Sequence, residues 1–310
     1  MNLHKTADRL VAAIGGLYSD STKFFREGTE SPHLSDVIAD TTVDASAPGE
    51  GDEESFSQRE YEVPAAFRDI SATARYTVLR WSGAAAPTLI YHHGSGESNY
   101  TARIRRFAAR MHAGAEAAAA DTTGALNIIA VSVPLNRSLK EYLSGAARLD
   151  RWSFLLAASV QLTEHLVQQL RASDSAWIVC AGISLGGWIT NLHHSYFDTC
   201  DAYSPIFAGA ALDDLFIDTV YRKLLASSAQ GAHERFRAAL NFEADFTARG
   251  NANVFPVMAR FDQFIRFDRQ SGIYRPKQMT VLERGHTTGA VAYARIGAHL
   301  QERFDARPTA

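Results

Sequence analysis

Trp177-Ile-Val-Cys-Ala-Gly182-Ile-Ser184-Leu-Gly186-Gly-Trp188-Ile-Thr-Asn-Leu-His-His-Ser-Tyr-Phe197 is the stretch on which the fold turns. Residues 177–181 form a short apolar run of the kind that makes a strand buried on both faces. Residues 185–197 then read as a helix, so a strand passes into a helix through Gly182-Ile-Ser184-Leu-Gly186. In so tight a turn, side chains two residues before and after the serine would collide. Glycine at 182 and 186 removes them, and the strained turn lifts the Ser184 hydroxyl off the sheet edge at the positive end of a helix. The plainer reading is an ordinary strand-to-helix turn whose serine caps the helix.

The surrounding chain continues the alternation. Strands are predicted over 72–81, 88–92, 127–133, 201–208, 254–260 and 278–282. Helices are predicted over 100–112, 152–171, 213–228, 232–247 and 288–304. Short apolar strands alternating with amphipathic helices imply an α/β domain, with a mostly parallel sheet covered on both faces. The Ala-rich patch at 115–120 reads as a helix end or loop.

Composition narrows the class. The chain has 310 residues, 46% hydrophobic and 21% charged, with a formal net charge of −3, so it can bury a core without metal or disulfide staples. No global basic field recommends nucleic acid, and no apolar run approaches a membrane span. Cys180 and Cys200, the only cysteines, exclude a disulfide scaffold and a four-cysteine zinc site. They read as small core residues.

Two N-terminal features stand outside this pattern. Leu3, Ala7, Leu10, Ile14 and Leu17 recur at helical spacing, predicting an amphipathic helix over about 3–26 with one apolar stripe. Asp8 before the apolar stretch, Asp20 after it and the lack of a cleavage pattern argue against a signal peptide, so a cytoplasmic protein is expected. Residues 27–60 carry ten acidic residues against Arg59 alone, a net −9 where the rest of the chain carries +6. Poor in large apolar residues, this stretch reads as a solvated linker, or as an acidic arm over the positive remainder or a pocket mouth. The expected organisation is therefore an N-terminal helix and acidic arm over 1–60, then one domain over 61–310.

A serine hydroxyl is a poor nucleophile until a base takes its proton. His286, in Leu282-Glu-Arg-Gly-His286 after the last predicted strand, is the candidate base. The adjacent pairs His92/His93 and His193/His194 lack the i, i+4 spacing of a metal site, so no metal is expected. A carboxylate must orient the imidazole. Asp262, just after the strand 254–260, is preferred, with Asp268 as its main rival and Glu283 less well placed. Donors for a developing oxyanion are expected from the N–H of Leu185 and from Tyr91-His-His-Gly-Ser95-Gly-Glu97, with Ser95 the better guess there.

The order His92-His-Gly-Ser95-Gly, Gly182-Ile-Ser-Leu-Gly186, Asp262 and Gly285-His286 resembles the α/β-hydrolase superfamily over about residues 60–305. That resemblance implies an eight-stranded, mostly parallel sheet, no cofactor, and hydrolysis through an acyl-enzyme. It does not explain the N-terminal helix or the acidic stretch. Spacing leaves room for a small helical cap at 209–250, bearing Leu212, Leu215, Phe216, Tyr221 and Phe242. Trp188, Tyr100 and Phe264 are further pocket candidates, and packing in the core is the alternative for all these residues. Fold does not choose the chemistry. Serine at the elbow disfavours the dehalogenases and epoxide hydrolases of that superfamily, which use aspartate there, so hydrolysis of a small-molecule carboxylic ester or thioester is expected. An amidase or peptidase of the same fold, or a non-catalytic scaffold that binds a ligand or partner, are the alternatives. The oligomeric state is not legible.

Overall fold

A computed structural model describes residues 2–45, 59–111, 126–173 and 177–307. The Ala-rich patch at 115–120 and the acidic residues between 46 and 58 lie outside the described residues.

The strands are β1 (Thr42–Val43), β2 (Arg59–Phe67), β3 (Ile70–Arg80), β4 (Thr88–His92), β5 (Asn127–Ser132), β6 (Ile178–Ile183), β7 (Ala202–Ile206), β8 (Val257–Ala259) and β9 (Thr280–Leu282). They form a nine-stranded sheet in the order β1-β2-β3-β5-β4-β6-β7-β8-β9. The pairings from β5 through β9 are parallel, and those joining β1, β2, β3 and β5 are antiparallel. Among the described residues the sheet thus has nine strands where eight are expected. β2 pairs with β3 along its whole length, and the two-residue β1 adds to its outer edge. The sequence hides β2 because Glu60, Glu62 and Pro64 break its apolar pattern; as one arm of a hairpin it keeps a polar face.

The helices are α1 (Leu3–Gly16), α2 (Leu34–Asp40), α3 (Ala102–Met111), α4 (Leu139–Gly145), α5 (Leu149–Ala172), α6 (Leu185–Tyr196), α7 (Asp214–Ile217), α8 (His233–Leu240), α9 (Glu243–Arg249), α10 (Phe267–Gln270), α11 (His286–Gly289) and α12 (Tyr293–Asp305). The chain steps from β4 to β5 in one direction and from β5 to β6 in the other. Right-handed crossovers therefore send α3 to one face and α5 to the opposite face. β4 shows this directly. The Tyr91 ring meets Phe107 of α3, and the next residue, His92, bonds to Thr163 of α5. Both β4 and β6 are buried throughout, as central parallel strands must be.

The N-terminal expectations are corrected in three ways. First, the predicted helix over 3–26 stops at Gly16, and Phe24 and Phe25 enter the core, with Phe25 edge-on to Trp152 and Phe216. Second, residues 27–45 are not a solvated linker. Leu34, Val37 and Ile38 are buried, α2 packs on α5, and Gln161 Nε2 donates to the Ile38 carbonyl at 2.6 Å. Three apolar residues at i, i+3 and i+4 are enough to seat a short helix, and averaging charge over the whole stretch conceals them. Residues 2–45 therefore belong to the same body as the sheet and are not a separate arm. Third, the apolar stripe of α1 is not its packing face, since Leu10 is 60% and Leu17 85% exposed, whereas Asp8 is 0% exposed.

Residues 209–250, expected as a cap, hold α7, two 3-10 turns (Val220–Leu224 and Ser227–Ala229), α8 and α9. Phe242 and Phe246 are buried, and α9 lies against α6. The predicted long helix over 213–228 is broken into α7 and these turns.

Candidate active site

β6 runs into α6 through Ser184, whose φ of 55° and ψ of −113° belong to no relaxed region for a residue with a side chain. Such strain costs on the order of 1–3 kcal/mol and persists only where its surroundings enforce it. The enforcement is visible. The Ser184 N–H donates to the Ile206 carbonyl at 2.8 Å. A Cβ on Gly182 would lie 2.3 Å from the Gly186 carbonyl oxygen, and one on Gly186 would lie 2.2 Å from that of His92. Only glycine fits at either position.

The Ser184 hydroxyl stands 3.1 Å from His286 Nε2, and His286 Nδ1 stands 2.7 Å from Asp262 Oδ2. These side chains come from the ends of β6, β8 and β9, which lie side by side in the sheet apart from β7 between the first two. Asp262 is buried, and its Oδ1 accepts the N–H groups of Phe264 at 2.8 Å and Ile265 at 2.7 Å. Those bonds form an Asx-type turn that fixes the carboxylate while Oδ2 faces the imidazole. An ionised carboxylate carries no proton, so Nδ1 holds the imidazole hydrogen and Nε2 accepts from serine. The rival Asp268 has a side chain 82% exposed and lies 3.9 Å from Arg266, while Glu283 pairs with Arg260 at 2.6 Å. The structure brings neither into contact with His286.

Burial alone opposes protonation of His286, but the charge and hydrogen bond of Asp262, with Asp8 adding, outweigh it and hold the imidazole above its ordinary value. Burial pushes the Asp262 carboxyl up, against the pull of the imidazole and the Ile265 N–H. The rings of Phe207 and Phe264 lie 5.6 and 5.2 Å from the imidazole, confining it between β7 and the acid loop.

Leu185 is the first residue of α6, where a helix leaves its leading N–H groups without intrahelical partners. Gly94 and Ser95 face the same cavity from the loop after β4. His93 shapes that loop: its Nε2 accepts from the Val133 N–H at 3.2 Å, so its Nδ1 donates to the Gly94 carbonyl at 2.6 Å. The Ser95 hydroxyl donates to Tyr142 at 2.8 Å, which holds the loop against the cavity wall. Arg103 bonds Glu97 Oε1 through Nε at 2.9 Å and the Ala290 carbonyl through Nη1 at 2.6 Å, tying the same loop to the end of α11. Sequence reasoning reached His93 only as one of an adjacent pair and did not reach Arg103. One arginine among the four of a basic amphipathic helix carries no mark of its partner.

A cavity of about 560 Å³ opens over Ser184 and His286. Trp188, Leu215, Tyr221 and Phe264 line it as expected, while Leu212, Phe216 and Phe242 are buried in the core away from it. Tyr100 does not reach it; its hydroxyl donates to Glu60 at 2.8 Å and is 2.5 Å from that of Thr77. The 209–250 insertion thus supplies one wall, and α1 supplies another through Val11, Ile14 and Gly15. Among the described residues, none between 27 and 45 lines the cavity. From the paired histidines, His92 bonds Thr163 and His194 the Gly250 carbonyl, whereas His193 lies 3.2 Å from the Glu164 carboxylate, which helps to raise it. Burial lowers His92 and His194 to about 3, so these two are neutral core residues. Cys180 and Cys200 are buried and not disulfide-bonded.

The chain has the α/β-hydrolase fold: a mostly parallel sheet, helices on both faces, and a serine on a strained turn at the end of a central strand. Solved structures share it. An esterase from Pyrococcus furiosus matches 91% of this chain and 98% of its own, with a TM-score of 0.54 and 12% identity. An acylaminoacyl peptidase from Pyrococcus horikoshii matches 82% of this chain with a TM-score of 0.53 and 13% identity. The chain spans only 43% of that peptidase's length. No family model matches the sequence, and no curated protein matches it. Among the described residues no helix is long and apolar enough to cross a membrane.

Proposed function

We propose that this protein is a serine hydrolase that cleaves small-molecule carboxylic esters or thioesters through an acyl-enzyme. The observation that carries the reading is the hydrogen-bonded series Ser184–His286–Asp262 facing a largely apolar cavity. Ser184 Oγ attacks the acyl carbon while His286 Nε2 takes its proton, and Asp262 holds the tautomer and offsets the imidazolium charge. The carbonyl oxygen becomes an oxyanion facing the Leu185 and Ser95 amides. Collapse expels the alcohol or thiol, which leaves with the proton from His286. Water then attacks the acyl-enzyme with His286 as base, and the acid is released.

The lining favours an apolar acyl group. Trp188, Leu215 and Phe264 offer no charge to a polar chain, and the Arg103–Glu97 pair satisfies itself at the rim. Labelling with a fluorophosphonate, read by peptide mapping, tests the reading. A single adduct on Ser184, abolished in His286→Ala, is expected, together with turnover of a p-nitrophenyl ester series. Well-folded protein that takes no label would sink it. Turnover of amides at rates matching esters would move the substrate class to amides.

A further inference from the structure

Asp8 sits in the middle of a solvent-facing helix, yet it is completely buried. Its Oδ2 accepts the N–H of His286 at 2.9 Å and of Gln263 at 3.1 Å, and its Oδ1 accepts the N–H of Thr287 at 2.9 Å. Gln263 is the neighbour of Asp262. One carboxylate therefore clamps both the acid loop and the histidine loop by their main chains.

The fit is close. A Cβ on Gly285 would lie 2.7 Å from Asp8 Oδ2 and 2.8 Å from the His4 carbonyl, so glycine before the histidine lets α1 approach. One turn earlier, His4 Nδ1 lies 2.9 Å from Thr288 Oγ1, and its ring stacks on Phe261 with centroids 6.1 Å apart. Few apolar contacts compete for this face, because Ala12 is the only other residue of α1 that is buried. A buried carboxylate must be offset by donors, and here three amides supply them.

We propose that Asp8 is a positioning residue for the triad: it fixes the spacing between the loops that carry Asp262 and His286, and so makes α1 an integral part of the catalytic apparatus. The proposal rests on the serine hydrolase reading. Asp8 touches neither substrate nor a reacting atom; it acts through the main chain of His286. Asp262 and Asp8 face the imidazole as anions, Arg103 faces it from α3 as a cation, and His4 and Arg284 flank α11. Removing the Asp8 charge removes one of the two anions that favour protonated His286.

The test is Asp8→Asn in the full chain, with Asp8→Glu as the charge-conserving variant. An amide side chain has one acceptor oxygen and one NH2, so it cannot serve amides approaching both of its ends. Loss of kcat/KM of about 10–100-fold is expected, the range that misplacement of catalytic groups by an ångström produces. The acid limb of the pH profile should move to lower pH in Asp8→Asn, and stay at the wild-type position in Asp8→Glu. A purely structural role would lower the active fraction and leave that limb in place. Unchanged kcat/KM and limb in folded Asp8→Asn would overturn the proposal. If Asp8→Asn does not fold, Asp8→Ser, which is also uncharged, replaces it under the same criteria.

NMR titration of the His286 imidazole, assigned by His286→Ala, reads the same shift without substrate. If wild type takes no fluorophosphonate, the hydrolase reading fails by itself. A His286 titration then unmoved by loss of the Asp8 charge ends this proposal as well, and a downward move upholds the Asp8–His286 coupling.

Discussion

Helices α6 and α1 both reach the Ser184–His286 pair and hold it in opposite ways. Every residue of α6 from Leu185 to Ser195 is buried, wrapped by β4, β6, β7, α5 and α9. Its position is set by apolar area removed from water, at roughly 25 cal/mol per Å², which is non-directional and spread over many contacts. α1 buries only Asp8 and Ala12, leaves Leu3 and Leu10 exposed, and turns Ile14 to the cavity. It is held by directional bonds from the Asp8 carboxylate and the His4 ring and by contact with the Val220–Leu224 turn. The difference separates two tasks. Packing builds the frame that can sustain the strained Ser184 backbone, whereas hydrogen bonds to main-chain amides set the loops that carry the other two residues.

The contrast can be broken or sharpened by experiment. The largest effect should come from Asp262→Asn, which leaves the geometry but permits the wrong imidazole tautomer. An ester kcat loss of about 10³–10⁴-fold is expected, against a change within about twofold for Asp268→Asn, whose side chain is exposed. A larger loss at Asp268 would reassign the acid. In wild type the acid limb of kcat/KM should lie above the ordinary histidine value. In the proposed mechanism His286 must be neutral to accept the serine proton, and its surroundings favour the protonated form. A limb at or below pH 6.5 would contradict that balance.

Next in size are two changes of packing. Gly186→Ala drives a methyl into the His92 carbonyl and should cost about 3 kcal/mol or more in urea unfolding. Leu34→Ala, in the acidic segment, should cost about 2–5 kcal/mol if α2 belongs to the core. A solvated arm would give almost nothing. The smallest effect is expected at Leu17→Gln, within about 0.5 kcal/mol, because the side chain is 85% exposed. A large loss there would mean that the apolar stripe of α1 is covered in solution.

Most of the candidate site is legible in one dimension because its parts are local. Gly182-Ile-Ser184-Leu-Gly186 needs only a strand before it and a helix after it, and the alternation of apolar runs supplies both. His286 and Asp262 follow from their places at strand ends. The sequence separates Asp262 from Asp268 only weakly, because six residues of loop can point either carboxylate at the sheet edge. The turn closed by the Phe264 and Ile265 amides aims Asp262 at His286 and leaves Asp268 exposed beside Arg266.

The N-terminal segment shows what pattern cannot carry. Periodicity identifies an apolar face of α1 but contains no information about which face meets a neighbour, since that depends on donors 255 to 279 residues away in the chain. Likewise a net −9 over residues 27–60 says nothing of Leu34, Val37 and Ile38, which α5 buries. By itself the sequence determined the alternating α/β architecture, the serine elbow and the strand-end histidine, because each rests on local sterics and the period of apolar residues. Tertiary structure alone decided the outward stripe of α1, the clamp at Asp8 and the Arg103–Glu97 tie. Those rest on directional bonds between segments far apart in the chain, and such bonds exist only once the sheet has brought their partners together.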